Sequence, residues 1–110
     1  MMQTHGTTKV AFQYLSKNNE AIYCYDKVLA LNPSQVSARY TKGSALYRLG
    51  RFSQALFCHE KALEIDPYNA LVWYGKGAAL EALKEHERAK KCFSTAKELR
   101  ENNLISVENA

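Results

Sequence analysis

From Ala38 to Ile65 the apolar positions fall into two helical series. Ala38, Ala45, Leu46 and Leu49 recur every three or four residues, with the aliphatic stem of Lys42 in phase. After a break the series resumes at Phe52, Ala55, Leu56, Cys58, His59, Ala62, Leu63 and Ile65. The break is Leu49-Gly50-Arg51, where Gly50 can take the left-handed conformation that ends a helix. Asn32-Pro33-Ser34 and Asp66-Pro67-Tyr68 bracket the double series, because proline fixes its own φ and disfavours helix for the residue before it. No stretch alternates with period two, so the pattern predicts helices and no sheet.

The same pattern recurs along the chain. Cys24, Cys58 and Cys92 are each 34 residues from the next, and Ala21/Ala55/Ala89, Ala11/Ala45/Ala79, Leu15/Leu49/Leu83 and Pro33/Pro67 keep the same step. Tyr40/Tyr74, Lys42/Lys76, Gly43/Gly77, Leu46/Leu80 and Ala62/Ala96 match between the second and third units. A glycine inside a helix costs roughly 1 kcal/mol relative to alanine, so Gly43 and Gly77 at one phase point to a close helix approach.

These residues resemble the tetratricopeptide repeat, a 34-residue unit that reads W-x2-L-G-x2-Y, then A-x3-F, then P. Trp73, Gly77, Ala89 and Phe93 match in the third unit, where Leu80 stands for the tyrosine. The second unit keeps Gly43, Ala55 and Pro67, with Arg39 for the tryptophan, Leu46 for the tyrosine and His59 for the phenylalanine. The first keeps Ala21 and Pro33, with Phe12 and Tyr25 as aromatic equivalents and Lys9 in place of the glycine. The resemblance implies an all-α fold: an α-solenoid of three stacked helix-turn-helix units in a right-handed superhelix. The expected units are residues 7–33, 36–67 and 70–101, with the first helix starting near Thr7 and 102–110 as a frayed or loosely docked tail. Glu101 stands where a closing proline is expected, and Lys90, Lys91 and Lys97 replace apolar residues of the earlier units. A polar outer face of that kind is expected of a capping unit.

Composition narrows the function. A length of 110 residues suits one domain, and a net charge of +4 with both signs interspersed lacks the concentrated footprint of a nucleic-acid binder. No apolar run approaches the ~20 residues that span a bilayer and the start lacks a signal peptide's apolar core, so the expected location is the cytoplasm, with no membrane partner. One cysteine per unit reads as free thiols in packing positions, since helices ~8–10 Å apart hold α-carbons beyond the ~7 Å that a disulfide tolerates. His5, His59 and His86 share no ligand spacing, and no phosphate loop, serine elbow or carboxylate pair is present. The expectation is therefore no enzyme, no catalytic residue, no metal and no cofactor.

The expected partner is a protein or peptide. In the resembled family the first helix of each pair lines a concave groove, and in the second unit Ser37, Tyr40, Thr41, Ser44, Tyr47 and Arg48 share the free face. Leu71, Tyr74, Gly75, Ala78, Glu81 and Ala82 are their counterparts in the third. Tyr14, Tyr40, Tyr47 and Tyr74 would form an aromatic floor with Arg48 and Glu81 beside it, tyrosine and arginine being frequent binding hot spots. An equal alternative has Tyr40 and Tyr74 packing between neighbouring helices. One subset of the family clamps the C-terminal carboxylate of chaperone peptides with lysine, asparagine and arginine. Gly6, Thr41, Leu71 and Gly75 occupy the corresponding places, which predicts no such clamp and weak binding of these peptides. A rival reading is a self-associating structural domain, a homodimer or helix-exchanged oligomer nucleated by the atypical first helix.

Overall fold

Five helices account for the chain in the computed structural model, which describes the backbone of residues 2–109 and the side chains of 13–102. In order they are α1 (Met2–Leu31), α2 (Val36–Arg48), α3 (Phe52–Ile65), α4 (Ala70–Ala82) and α5 (His86–Asn109), with no strand among the described residues. Each helix packs on the next, and α2 also meets α4. The all-α repeat expected from the periodicity is the observed fold, drawn out to 57 × 34 × 27 Å.

The second and third helix pairs close by the same device. Gly50 adopts φ 77°, and the amides of Gly50 and Arg51 donate to the carbonyls of Tyr47 and Leu46 at 2.9 Å each. This six-to-one bond with a left-handed residue satisfies carbonyls that a helix end leaves orphaned. One period later Lys84 takes φ 65°, and Lys84 and Glu85 donate to Glu81 and Leu80 at 3.0 and 2.9 Å. A lysine thus fills a glycine's conformation, which costs an L-residue roughly 1–2 kcal/mol.

Repeat-equivalent residues make the core. Leu46, Ala55 and Cys58 pack together with Ala79, and Leu80, Ala89 and Cys92 form the counterpart one period on. Between them lies a cluster of Ala62, Leu63 and Val72, against which Val36, Tyr40 and Trp73 rest. All three cysteines are free thiols. Burial pushes the thiols of Cys58 and Cys92 above their usual value, as packing residues require.

Two polar rungs repeat as well. Arg39 Nε donates to the Pro33 carbonyl at 3.1 Å and Trp73 Nε1 to the Pro67 carbonyl at 2.7 Å, so the arginine that replaces the family tryptophan keeps its hydrogen bond. Lys42 pairs with Asp26 at 2.6 Å and Lys76 with Glu60 at 3.7 Å, each lysine reaching back to the preceding unit.

Both ends of the fold differ from expectation. The first unit is no hairpin: α1 is one continuous helix through Leu15-Ser16-Lys17, where the later units turn at Leu49-Gly50-Arg51 and Leu83-Lys84-Glu85. Within it the side-chain amides of Asn18 and Asn19 donate to the carbonyls of Tyr14 and Leu15 at 2.9 and 3.0 Å, bonds made inside the running helix. The helix also starts at Met2 and not near Thr7. At the other end α5 continues to Asn109, so the segment expected as a frayed tail is helical through 109. Glu101 there offers neither the missing donor nor the ring clash with which proline stops a helix. Lys90, Lys91 and Lys97 are exposed, as a polar outer face requires.

Candidate functional site

The first helices α2 and α4 come together over His59 of α3, to which each turns a glycine. An ideal Cβ on Gly43 of α2 would sit 2.8 Å from the His59 ring, and one on Gly75 of α4 would also sit 2.8 Å from it. The imidazole is therefore held between two glycines of neighbouring first helices. His59 is 1% exposed, its Nδ1 has no hydrogen-bond partner, and burial lowers its pKa from the usual 6.5 to about 4. It is neutral at physiological pH, a packed ring of the kind its place in the family pattern implies. Gly77 has the same relation to Phe93, at 2.6 Å, in the next unit.

On this wall the expected residues have distinct settings. Tyr40 is half-buried with its ring tilted against His59 at 5.6 Å between centroids. Tyr74 makes the equivalent contact with Phe93 at 5.0 Å, yet is 57% exposed. Both rings thus rest on the core aromatic of their own unit, Tyr40 half-buried and Tyr74 with more than half of its surface exposed. Tyr47 is exposed and meets Phe52 edge-on at 5.3 Å. Ser37 is exposed, Thr41 and Ser44 are half-buried, and the Thr41 hydroxyl donates to the Ser37 carbonyl at 2.8 Å. On α4 Ala78 is half-buried and Leu71 is exposed.

The charged residues expected beside the floor are tied down. Arg48 Nη1 donates to Asn18 Oδ1 at 3.2 Å, while the Tyr14 hydroxyl donates to the Arg48 carbonyl at 3.2 Å. Tyr14 thus belongs to the seam between α1 and α2. Glu81 accepts from His86 Nδ1 at 2.8 Å, a pair at the turn between α4 and α5. Sequence reasoning missed Asn18, which is buried at the seam, and the role of His59 as the spacer of the wall. The recurrence of glycine against an aromatic at one phase was the signal for His59; nothing local signalled Asn18. At the places that correspond to a carboxylate clamp, Thr41, Leu71 and Gly75 carry no cation, and Gly6 lies outside the residues whose side chains are described.

Among the described residues no His, Cys, Asp and Glu cluster has the makings of a metal site, and no helix is long and apolar enough to cross a membrane. The wall offers apolar and aromatic area and hydroxyls.

A family model described as Tetratricopeptide repeat matches residues 36–69 and 70–103, and one described as TPR repeat matches 11–50. Among solved structures the chain is similar to MamA of AMB-1, with 32% identity over 79% of this chain and 52% of that one and a TM-score of 0.74. It is similar to MamA of MSR-1 at 31% identity over 87% of this chain and 56% of that one, TM-score 0.75. The chain spans about half the length of these MamA chains. A third structure is the first TPR of Spaghetti (RPAP3) bound to HSP90 peptide SRMEEVD, with 28% identity over 96% of this chain and 82% of that one, TM-score 0.77. No curated protein sequence matches. The third neighbour corrects the expectation that chaperone peptides bind weakly here. That neighbour shares the fold over nearly the whole of this chain and holds such a peptide.

Proposed function

This chain belongs to the tetratricopeptide repeat family, and on that footing we propose that its α2–α4 wall takes a short segment of a partner protein as a scaffold or adaptor does. The family's fold is a protein-interaction fold, and a neighbour spanning nearly all of this chain holds a seven-residue peptide. One observation carries the finer reading. Leu71 and Tyr74 on α4 and Tyr47 on α2 are exposed, so apolar and aromatic area stands free on the first helices together with the hydroxyls of Ser37 and Ser44. Tyrosine suits such a surface because its ring buries large area at low entropy cost while its hydroxyl keeps a partner. The ligand this favours is an extended segment with apolar side chains spaced to reach Tyr47 and Tyr74, flanked by polar groups.

Peptides selected from a random display library, with the HSP90 peptide SRMEEVD as a defined probe, are titrated against the protein and against Tyr47→Ala and Tyr74→Ala by fluorescence anisotropy. Each substitution is expected to weaken the selected peptides by roughly 1–2 kcal/mol, about five- to thirty-fold. Selected peptides that bind both variants with unchanged affinity place the site elsewhere on the molecule.

A further inference from the structure

The three units are built on one register, so each residue has an internal control 34 positions away. Along the second helix of a unit the stripe facing the unit's own first helix consists of Ala55, Cys58 and Ala62 in α3, and of Ala89, Cys92 and Ala96 in α5. The alanines are 0–1% exposed and the cysteines 7% and 5%, covered by α2 and α4 respectively. The counterpart in α1 is Ala21, Cys24 and Val28. Here Ala21 is half-buried, Cys24 is exposed and Val28 is 37% exposed. An open furrow runs beside the stripe, lined by Leu15, Ser16, Asn19, Glu20, Tyr23 and Cys24. The cause is the unbroken α1: its leading half, which holds the register of a first helix, runs straight on and does not fold back, and α1 packs against α2 alone.

We propose that this face is covered by residues 2–15 of a second copy of the chain, so that two chains exchange their first helices. The occupant is specified by the repeat itself, since the segment with the matching register is the one displaced. Phe12 holds the place of Leu46 and Leu80, the residues that meet Cys58 and Cys92 in the closed units. First and second helices of a unit run antiparallel. Two straight α1 helices laid antiparallel about a two-fold axis near Ser16 therefore dock each leading half on the other's trailing half, and one contact satisfies both chains. Such exchange is a low-cost route to a dimer, because every contact already exists in the closed form of the unit. The surface is separate from the α2–α4 wall, and the inference does not rest on peptide binding there.

Two measurements test it. Light scattering across a concentration series is expected to give twice the 12.5 kDa of one chain, and a monomer throughout overturns the proposal. For geometry, Phe12→Cys is treated with a short bis-maleimide while Cys58 and Cys92 stay buried. A link from this cysteine to Cys24 of the partner subunit, seen as a covalent dimer on a denaturing gel and mapped by mass spectrometry, is the expected product. A link within one chain, or none, overturns the proposal, the former by showing that each α1 folds back on itself. Ser16→Gly, which supplies the residue that turns the second unit, is expected to raise the dimer dissociation constant roughly tenfold or more by easing the hairpin. An unchanged constant counts against the exchange.

Discussion

Replacing His59 with phenylalanine should abolish a defined part of the protein's acid sensitivity. The imidazole is 1% exposed, its Nδ1 is unpartnered, and burial alone holds its pKa near 4 against an ordinary 6.5. Gly43, Gly75 and the Tyr40 ring surround it, and no charged group contributes to the shift. Because the folded-state value is the lower one, the unfolded chain takes up the proton first as pH falls. The stability that depends on a neutral ring is whole above pH 6.5, declines as pH drops toward 4, and changes no further below that. At about 1.4 kcal/mol per pKa unit the full decline is about 3 kcal/mol. Phenylalanine fits the repeat, since Phe93 faces Gly77 in the equivalent place, and it ends the desolvation of an unpaired nitrogen, a burden of roughly 1–3 kcal/mol. Its larger ring offsets part of that gain between the two glycines, so the slope with pH is the diagnostic quantity. Urea unfolding of both proteins from neutral pH to about 4 measures it. Groups common to both proteins drop out of the difference between the two curves. Parallel stability curves for the two proteins would refute the reasoning.

Three further outcomes follow from the geometry. Gly43→Ala should destabilise by roughly 1–3 kcal/mol because the ring 2.8 Å away is blocked from behind by Gly75, and adding His59→Ala should make the alanine tolerable; urea midpoints of the single and double variants check this. Lys84→Gly should raise stability by about 1 kcal/mol, read as a higher melting temperature, by relieving a side chain held at φ 65°. Asn69→Ala should cost about 1 kcal/mol in the same measurement, since Asn69 Oδ1 caps α4 by accepting from the Val72 amide at 3.3 Å, whereas Gln35→Ala at the matching start of α2 removes no capping bond and should be near neutral.

Much of the fold could be read from spacing, because a solenoid repeats its contacts at a fixed interval and the sequence repeats with them. Gly50, Pro33 and Pro67 marked breaks that the structure makes, and Leu46/Leu80 with Ala55/Ala89 marked its core. The first unit escaped this reading. Its residues keep the register, but whether Leu15-Ser16-Lys17 turns or continues is a balance of a few kcal/mol, and Lys84 shows that residue type alone does not decide it. At the far end Glu101 stands where proline would close the unit, but how far a helix runs without that stop is set by its later residues, and α5 continues to Asn109. On the wall, the helical face of Tyr40, Tyr47 and Tyr74 followed from phase. The rings on which Tyr40 and Tyr74 lean are 19 positions away, and Arg48 and Asn18 are 30 apart, distances that no local pattern connects.

The imidazole wedged between Gly43 and Gly75 makes the distance between successive inner helices a function of one flat ring. A branched or thicker side chain at that point would splay α2 from α4 and change the bend of the whole array, while a smaller one would let the two backbones settle together. Curvature, and through it the fit of any guest strand, is thus adjustable from a position that never reaches the surface. Descendants of this sequence could alter what they recognise without changing a single residue that touches the ligand.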